Sequence, residues 1–229
     1  MDQSIVDKII QAIIGFLKKK GAESVAQPVE PVKVQAEVIS YDINKVSVPY
    51  DINSINWADP KAKVGDRFTV KEALLLPSWG VMHVPSEDEK KAIVNIAAKV
   101  NDAALYLENK LGHKISIIVH AFVRPEKANC PGSKWDGKDY NRYIYETQVW
   151  KNLTEEEKAK KTVPKSPHRT GHAVDFHIVG FEGKEGCLKI RELLKEVLEK
   201  LGLRMERMDN GAWIHLDDMP VINARYFNP

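Results

Sequence analysis

Residues 166–175 read Ser-Pro-His-Arg-Thr-Gly-His-Ala-Val-Asp and lead from a turn into the start of a strand. Around Gly171 and the small Ala173 this stretch carries an imidazole, His168, and a carboxylate, Asp175. Both side chains can then reach a single ion. Because a catalytic zinc site uses three nitrogen or oxygen ligands and keeps one position open for water, a third ligand is expected from elsewhere in the chain.

The obvious third ligand is His215, within the sequence Trp-Ile-His-Leu-Asp at residues 213–217. Residues 212–217 and 173–179 are apolar enough to form strands, and the β-branched run at residues 115–123 predicts another. The sequence therefore predicts a metal site of His168, Asp175 and His215.

Helix signals surround these strands. Ser86 and Glu89 form a capping box that begins a long amphipathic helix, and Gly112 ends that helix. A second amphipathic helix is predicted over residues 185–201, and Thr69 caps a short helix that runs through residue 75. This order of elements predicts an α+β domain, with helices packed on a small, mainly antiparallel sheet.

The chain divides by pattern into three parts. Residues 1–21 hold an amphipathic helix, over about residues 4–20, whose apolar stripe docks either on a partner chain or the domain, or on a membrane surface. Residues 22–60 are rich in Val and Pro and predict an extended arm or linker. Residues 61–229 form the catalytic domain, in which residues 125–165 are a long polar and aromatic loop that we interpret as a substrate-facing insertion.

Composition excludes some classes of function. The chain has 229 residues, with 34 Lys and Arg against 32 Asp and Glu, and this balance predicts no broad basic surface for nucleic acid. The apolar N-terminal stretch follows acidic residues and is too short to cross a membrane, so we expect synthesis in the cytoplasm without a signal peptide. Whether Cys130 and Cys187 pair is left open.

The gapped pattern Ser-x-His-x-x-Gly-x-Ala-x-Asp at residues 166–175, followed by His215 in a strand, resembles the zinc D-alanyl-D-alanine carboxypeptidase and L-alanyl-D-glutamate endopeptidase family. Residues 68–74 and 120–125 are similar to segments of phage-encoded members, so the resemblance covers about residues 60–229. It implies a fold shared with the signalling domain of hedgehog proteins, a bound Zn²⁺, and cleavage of peptidoglycan stem peptides at the bacterial wall by a phage endolysin or virion-associated lysin.

The resemblance also implies roles for individual residues. His168, Asp175 and His215 would ligate zinc, and Arg124 would dock a substrate carboxylate or polarise the carbonyl group. Family peptidases usually carry an acidic general base three positions before the last histidine ligand, where this chain has Ala212. Candidate bases are then Asp209, then Asp217, and third Glu206.

Three further residues are considered near the predicted site. His172 is interpreted as an outer group that supports the ligands, His177 as a structural residue, and Trp213 as either a wall of the substrate cleft or a core residue. Three functions remain: an endopeptidase, a D-alanyl-D-alanine carboxypeptidase, and a zinc-stabilised wall-binding or structural module without activity.

Overall fold

The structure is a computed structural model that describes Asp42, residues 46–207 and residues 211–228. These residues belong to one compact unit, residues 37–229. The helix predicted over residues 4–20 and most of the predicted arm lie outside the described residues. None of the helices that the structure describes has the length and apolar character needed to cross a membrane.

Five strands form one open sheet: β1 (Ile117–Ala121), β2 (Ala173–Ile178), β3 (Arg204–Glu206), β4 (Ile214–Asp217) and β5 (Tyr226–Phe227). Their order across the sheet is β1-β2-β4-β3-β5. All neighbouring pairs are antiparallel except β3 and β5, which are parallel. The predicted α+β class with a mainly antiparallel sheet is therefore confirmed.

The α-helices are α1 (Val70–Leu74), α2 (Glu87–Leu111), α3 (Tyr140–Ile144), α4 (Glu155–Ala159), α5 (Gly183–Leu194) and α6 (Leu198–Leu201). The predicted start of α2 is confirmed, because the Ser86 hydroxyl accepts from the Glu89 amide while the Glu89 carboxylate accepts from the Ser86 amide. The Thr69 cap of α1 is a second capping box. Gly112 ends α2 in a left-handed conformation, as predicted.

The structure differs from the sequence prediction at several elements. The helix predicted over residues 185–201 is interrupted between α5 and α6, and the predicted loop of residues 125–165 contains α3, α4 and a π-helical turn, Tyr145–Val149. Strands β3 and β5 were not predicted. Their length of three and two residues gives too little alternation for a periodic signal.

The two faces of the sheet have different roles. Side chains at alternate positions of β2 and β4 belong to the main hydrophobic core together with the buried face of α2; those on the sheet are Val174, Phe176, Ile178, Ile214 and Leu216. The residues between them, which include Asp175 and His215, point to the opposite face because side chains alternate along a strand. The packing of α2 thus leaves the polar face of β2 and β4 available for a site.

Residues 46–60 lie against this core. Ile52, Ile55 and Trp57 pack on it, and both the amide and the hydroxyl of Ser47 donate to the buried carboxylate of Asp102 on α2. This part of the predicted arm is therefore attached to the domain along α2. Among the described residues, Cys130 and Cys187 are both buried and both free thiols.

Candidate metal centre

His168, Asp175 and His215 converge on one point. His168 Nε2 lies 3.1 Å from Asp175 Oδ1, His215 Nδ1 lies 2.8 Å from the same oxygen, and the two ring nitrogens are 3.2 Å apart. Two ligands at about 2.1 Å from a tetrahedral zinc ion are separated by roughly 3.4 Å. The spacing of the three atoms therefore suits one small metal ion, and this triad could bind one.

Neighbouring elements hold the three ligands in place. Asp175 and His215 are paired across the antiparallel strands β2 and β4. His168 lies in the 3-10 turn Pro167–Thr170, which Gly171 ends with a φ of 80°. A side chain at Gly171 would meet the Glu89 carbonyl oxygen of α2 at 3.2 Å, so glycine allows the turn to lie directly against the long helix.

Hydrogen bonds determine which ring nitrogen of each histidine faces the other two residues of the triad. The Nδ1–H of His168 donates to the Phe122 carbonyl oxygen at 2.6 Å, which leaves Nε2 as a lone-pair donor to metal. The Nε2–H of His215 donates to Asp217 Oδ2 at 3.3 Å, so Nδ1 faces the other two ligands. Partners of this kind orient ligating imidazoles and increase their basicity.

Burial and charge set the protonation of the triad. Burial lowers the pKa of His168, although the neighbouring Asp175 carboxylate opposes this shift. Burial acts to raise the pKa of Asp175, but the charges and hydrogen bonds of His168 and His215 hold it well below its usual value. Burial acts to lower the pKa of His215, but hydrogen bonding to Asp175 and Asp217 raises it to about 10. A bound cation would take the place of the His215 proton.

The triad lies in a cavity of about 510 Å³ whose wall also contains Arg124, Glu206 and Trp213. Arg124 Nη2 is 3.4 Å from Asp175 Oδ2, and its buried Nε has no hydrogen-bond partner within the described part of the chain. Asn141 donates to the Arg124 carbonyl oxygen and so holds the backbone at this position. Because a buried donor without a partner costs free energy, an acceptor on a ligand would satisfy it.

The other predicted site residues differ in where they lie. Asp209 lies outside the described residues. Asp217 is fully buried and forms two hydrogen bonds with Arg204, at 2.7 Å and 3.1 Å. Glu206 lines the cavity, and burial raises its pKa. Trp213 is 39% exposed and lines the cavity.

Two histidines considered from the sequence are engaged elsewhere. His172 Nδ1 is 2.7 Å from Asp218 Oδ1, and His177 Nδ1 is 2.8 Å from Nε2 of His120. In the part of the chain that the structure describes, the group of potential ligands consists of His168, Asp175 and His215 alone.

Sequence reasoning missed Arg204, which fixes Asp217 and lines the cavity. Its role depends on β3 pairing with β4, and that short strand has no periodic signal in the sequence. The sequence offered one sign of this role: Arg204 lies in a strand-forming segment, eleven residues before the predicted ligand His215.

No protein-family model, no curated protein and no solved structure matches this chain.

Proposed function

We propose that the protein is a zinc-dependent peptidase that cleaves peptide bonds in bacterial peptidoglycan stem peptides. The observation that carries the proposal is the buried triad of two imidazoles and one carboxylate, whose donor atoms are 2.8 to 3.2 Å apart beside an open cavity. Two histidines with one carboxylate form a ligand set typical of catalytic zinc in peptidases. Because the motif at residues 166–175 resembles that of peptidoglycan peptidases, the same proposal includes their substrate class and their hedgehog-like fold.

In this proposal His168, Asp175 and His215 hold Zn²⁺. When bound, the ion supplies Lewis acidity and a water molecule that ionises near neutral pH. Phe122 and Asp217 keep the two imidazoles in the tautomers that leave a lone pair toward the ion. Arg124 directs its guanidinium group into the cavity, where it binds a carboxylate of the substrate or the carbonyl oxygen of the scissile bond.

An endopeptidase is favoured over a D-alanyl-D-alanine carboxypeptidase by the shape of the cleft. A second cavity of about 440 Å³ adjoins the first and shares with it Arg124, Ile144, Asp175 and Trp213. The lining of the second cavity also includes His120 and Tyr140. Two adjoining cavities that share Asp175 offer room for a longer peptide than a terminal D-alanyl-D-alanine, and an endopeptidase requires such room.

The setting that we propose is lysis of a bacterial host. A phage endolysin or virion-associated lysin, made in the cytoplasm and acting on the wall, would use such a cleft on cross-linked or branched stem peptides. The proposed partner is therefore the peptidoglycan stem peptide.

The test is digestion of purified cell walls by the protein loaded with one equivalent of zinc. We expect new amino termini and falling turbidity, both abolished by a chelator and restored by zinc. A defined stem peptide, weighed after digestion, then separates internal cleavage from release of a terminal D-alanine. A wild-type protein that binds zinc but yields no product from either substrate contradicts the proposal.

One observation favours a second function. Ala212 occupies the position three before His215 at which peptidases of the family that the motif resembles usually carry their base. A zinc-stabilised module that binds the wall without cleaving it would need no base. Such a module would co-sediment with cell walls and release no cleavage product, and this result would distinguish it from a peptidase.

A further inference from the structure

The proposed peptidase needs a group that accepts a proton from the attacking water. Two carboxylates besides Asp175 lie near His215 in the described residues, one on β4 and one on β3. Asp217 Oδ2 is 3.3 Å from His215 Nε2, and Glu206 Oε1 is 4.0 Å from the same nitrogen. Their surroundings differ, and the difference assigns them separate roles.

Asp217 has no free capacity to accept a proton from the substrate side. It is fully buried, and Arg204 donates to both of its oxygens from Nε and Nη2. The Met219 amide donates to Oδ1, and His215 donates to Oδ2. Because four donors already surround this carboxylate, its role is to hold the imidazole of His215 in position.

Glu206 faces the cavity from the neighbouring strand. Strand β3 pairs Arg204 with Asp217 and Met205 with Leu216, so the next residue, Glu206, lies beside His215. His215 is in turn opposite Asp175 on β2. The three side chains therefore form one row across three strands, on the sheet face that the core leaves uncovered.

The Glu206 carboxylate is also available in a way that Asp217 is not. Its side chain is 21% exposed and lines the same cavity as the triad and Arg124. Within the described range its nearest charged partner is the ring of His215, at 4.0 Å, which is beyond hydrogen-bond distance. The oxygen atoms of Glu206 are thus free to bond a water molecule in the cavity.

We propose that Glu206 is the general base and general acid of this site, a role that rests on the proposed function. A carboxylate oxygen of Glu206 takes a proton from water as the water oxygen bonds to the scissile carbonyl carbon. The same oxygen gives that proton to the amide nitrogen as the carbon–nitrogen bond breaks, so the products are a carboxylic acid and an amine. Strand β3 thus supplies the base. Catalysis is then possible although Ala212 occupies the position at which the resembled family usually carries its base.

The experiment compares Glu206→Gln with Asp217→Asn and with Glu199→Gln, which changes an exposed residue of α6. Three quantities are measured for each variant: zinc bound per chain in competition with a chelator, binding of an intact stem peptide by calorimetry, and the rate of cleavage. We expect Glu206→Gln to keep the zinc content and peptide binding of the wild type while cleavage falls by at least about 100-fold. Asp217→Asn should instead weaken zinc binding, by roughly 10- to 100-fold.

Several results would overturn the assignment. A Glu206→Gln protein that cleaves within about 10-fold of the wild type is inconsistent with a proton-transfer role. Loss of zinc in Glu206→Gln would make this residue a support for the ligands instead. Cleavage that is lost in Asp209→Asn but retained in Glu206→Gln would return the role to Asp209. Because the wild type is measured alongside, an inactive wild type refutes the proposed function, whereas an active wild type with an active Glu206→Gln refutes only this inference.

Discussion

Gly171 determines how closely the turn that carries His168 approaches the long helix. Its φ of 80° is left-handed, and an added Cβ would lie 3.2 Å from the Glu89 carbonyl oxygen and 3.3 Å from Ile93 Cγ1. The turn therefore depends on glycine for two separate reasons, the backbone conformation and the lack of space. Gly180 has the left-handed backbone without the crowding, so a comparison of the two glycines separates these contributions.

We predict that Gly171→Ala destabilises the fold more than Gly180→Ala does. Both glycines have a positive φ, but no atom lies within 4 Å of the Cβ position at Gly180. The left-handed backbone alone costs about 1 to 2 kcal/mol with alanine, and crowding against α2 adds to it only at Gly171. Urea denaturation of the metal-free proteins measures the difference in the free energy of unfolding.

The same pair of variants reports on the metal centre. Gly171 is three residues from His168, so a displaced turn should weaken zinc binding in Gly171→Ala and leave it unchanged in Gly180→Ala. Equal zinc affinity in both variants would show that the turn can shift without moving the ligand.

At the residue level the sequence predicted the three residues that the structure brings together in the triad, but it placed the proposed base only third. The spacing of His168 and Asp175 around Gly171, with His215 in a later strand, is visible locally. Glu206 reaches the site only through the pairing of β3 with β4, and such register is a long-range property with no local signal. The same reason explains why the role of Arg204 was missed.

Among the elements, a polar network joins α2 to Asp218, the residue after β4, and to His172, which lies between the turn that carries His168 and β2. The buried carboxylate of Asp218 accepts hydrogen bonds from Asn95 and Lys99 of α2 and from His172. Hydrogen bonding to Asp218 raises the pKa of His172. Burial acts to raise the pKa of Asp218, but His172 and Lys99 together lower it. The network thus fixes the helix against the strand that carries His215.

We predict that the stability contributed by His172 depends on pH in a defined direction. Because its pKa is raised in the folded state, protonated His172 stabilises the fold fully below the ordinary value of about 6.5, and this contribution is lost as pH rises through the folded-state pKa. The free energy of unfolding of the wild type should therefore exceed that of His172→Gln at pH 6, with a smaller difference at pH 9. Urea denaturation with chelator present measures both.

A second histidine provides the control. His113 is exposed in the turn after α2, and its ring Nδ1 lies 3.0 Å from the carbonyl oxygen of the next residue. His113→Gln should show no comparable change of stability between pH 6 and pH 9. A His172→Gln difference that stays constant over this range would contradict the ion pair with Asp218.

Elements with strong local signals were predicted well, and those defined by tertiary contacts were not. The capping box at Ser86 and the terminal Gly112 bound α2 correctly, because both signals are local. The helical turns within residues 125–165 were missed. Their sequence is short, polar and weakly periodic, and their packing includes an aromatic cluster of Trp135, Tyr140 and Tyr143 that only the folded chain assembles.

At the largest scale, the triad connects elements that are distant in the sequence. Its three residues come from the turn before β2, from β2 and from β4, and the face behind them is the core that packs on α2. Without a cation, two imidazoles and a carboxylate are buried together, and the proton on His215 is the charge that balances Asp175. Binding of an ion to this arrangement should therefore stabilise the entire domain.

We predict that zinc raises the thermal midpoint of unfolding by roughly 5 to 15 °C. An ion at 100 to 1,000 times its dissociation constant adds about 2.7 to 4.1 kcal/mol to folding, and for a domain of this size each kcal/mol is worth roughly 2 to 4 °C. Differential scanning calorimetry with zinc and with excess chelator measures the shift. His215→Ala should remove the shift, whereas His113→Ala, away from the centre, should retain it.

The shift should also disappear in acid, because the imidazole ligands must lose their protons to bind metal. As pH falls, protons compete with zinc for His168 and His215, so the midpoints with and without zinc should converge. A shift that survives in His215→Ala, or that is equally large at pH 4.5 and pH 7.5, would locate zinc at some other part of the chain. In that case the triad would be a buried ion pair of the fold, and the proposed peptidase would lose its metal.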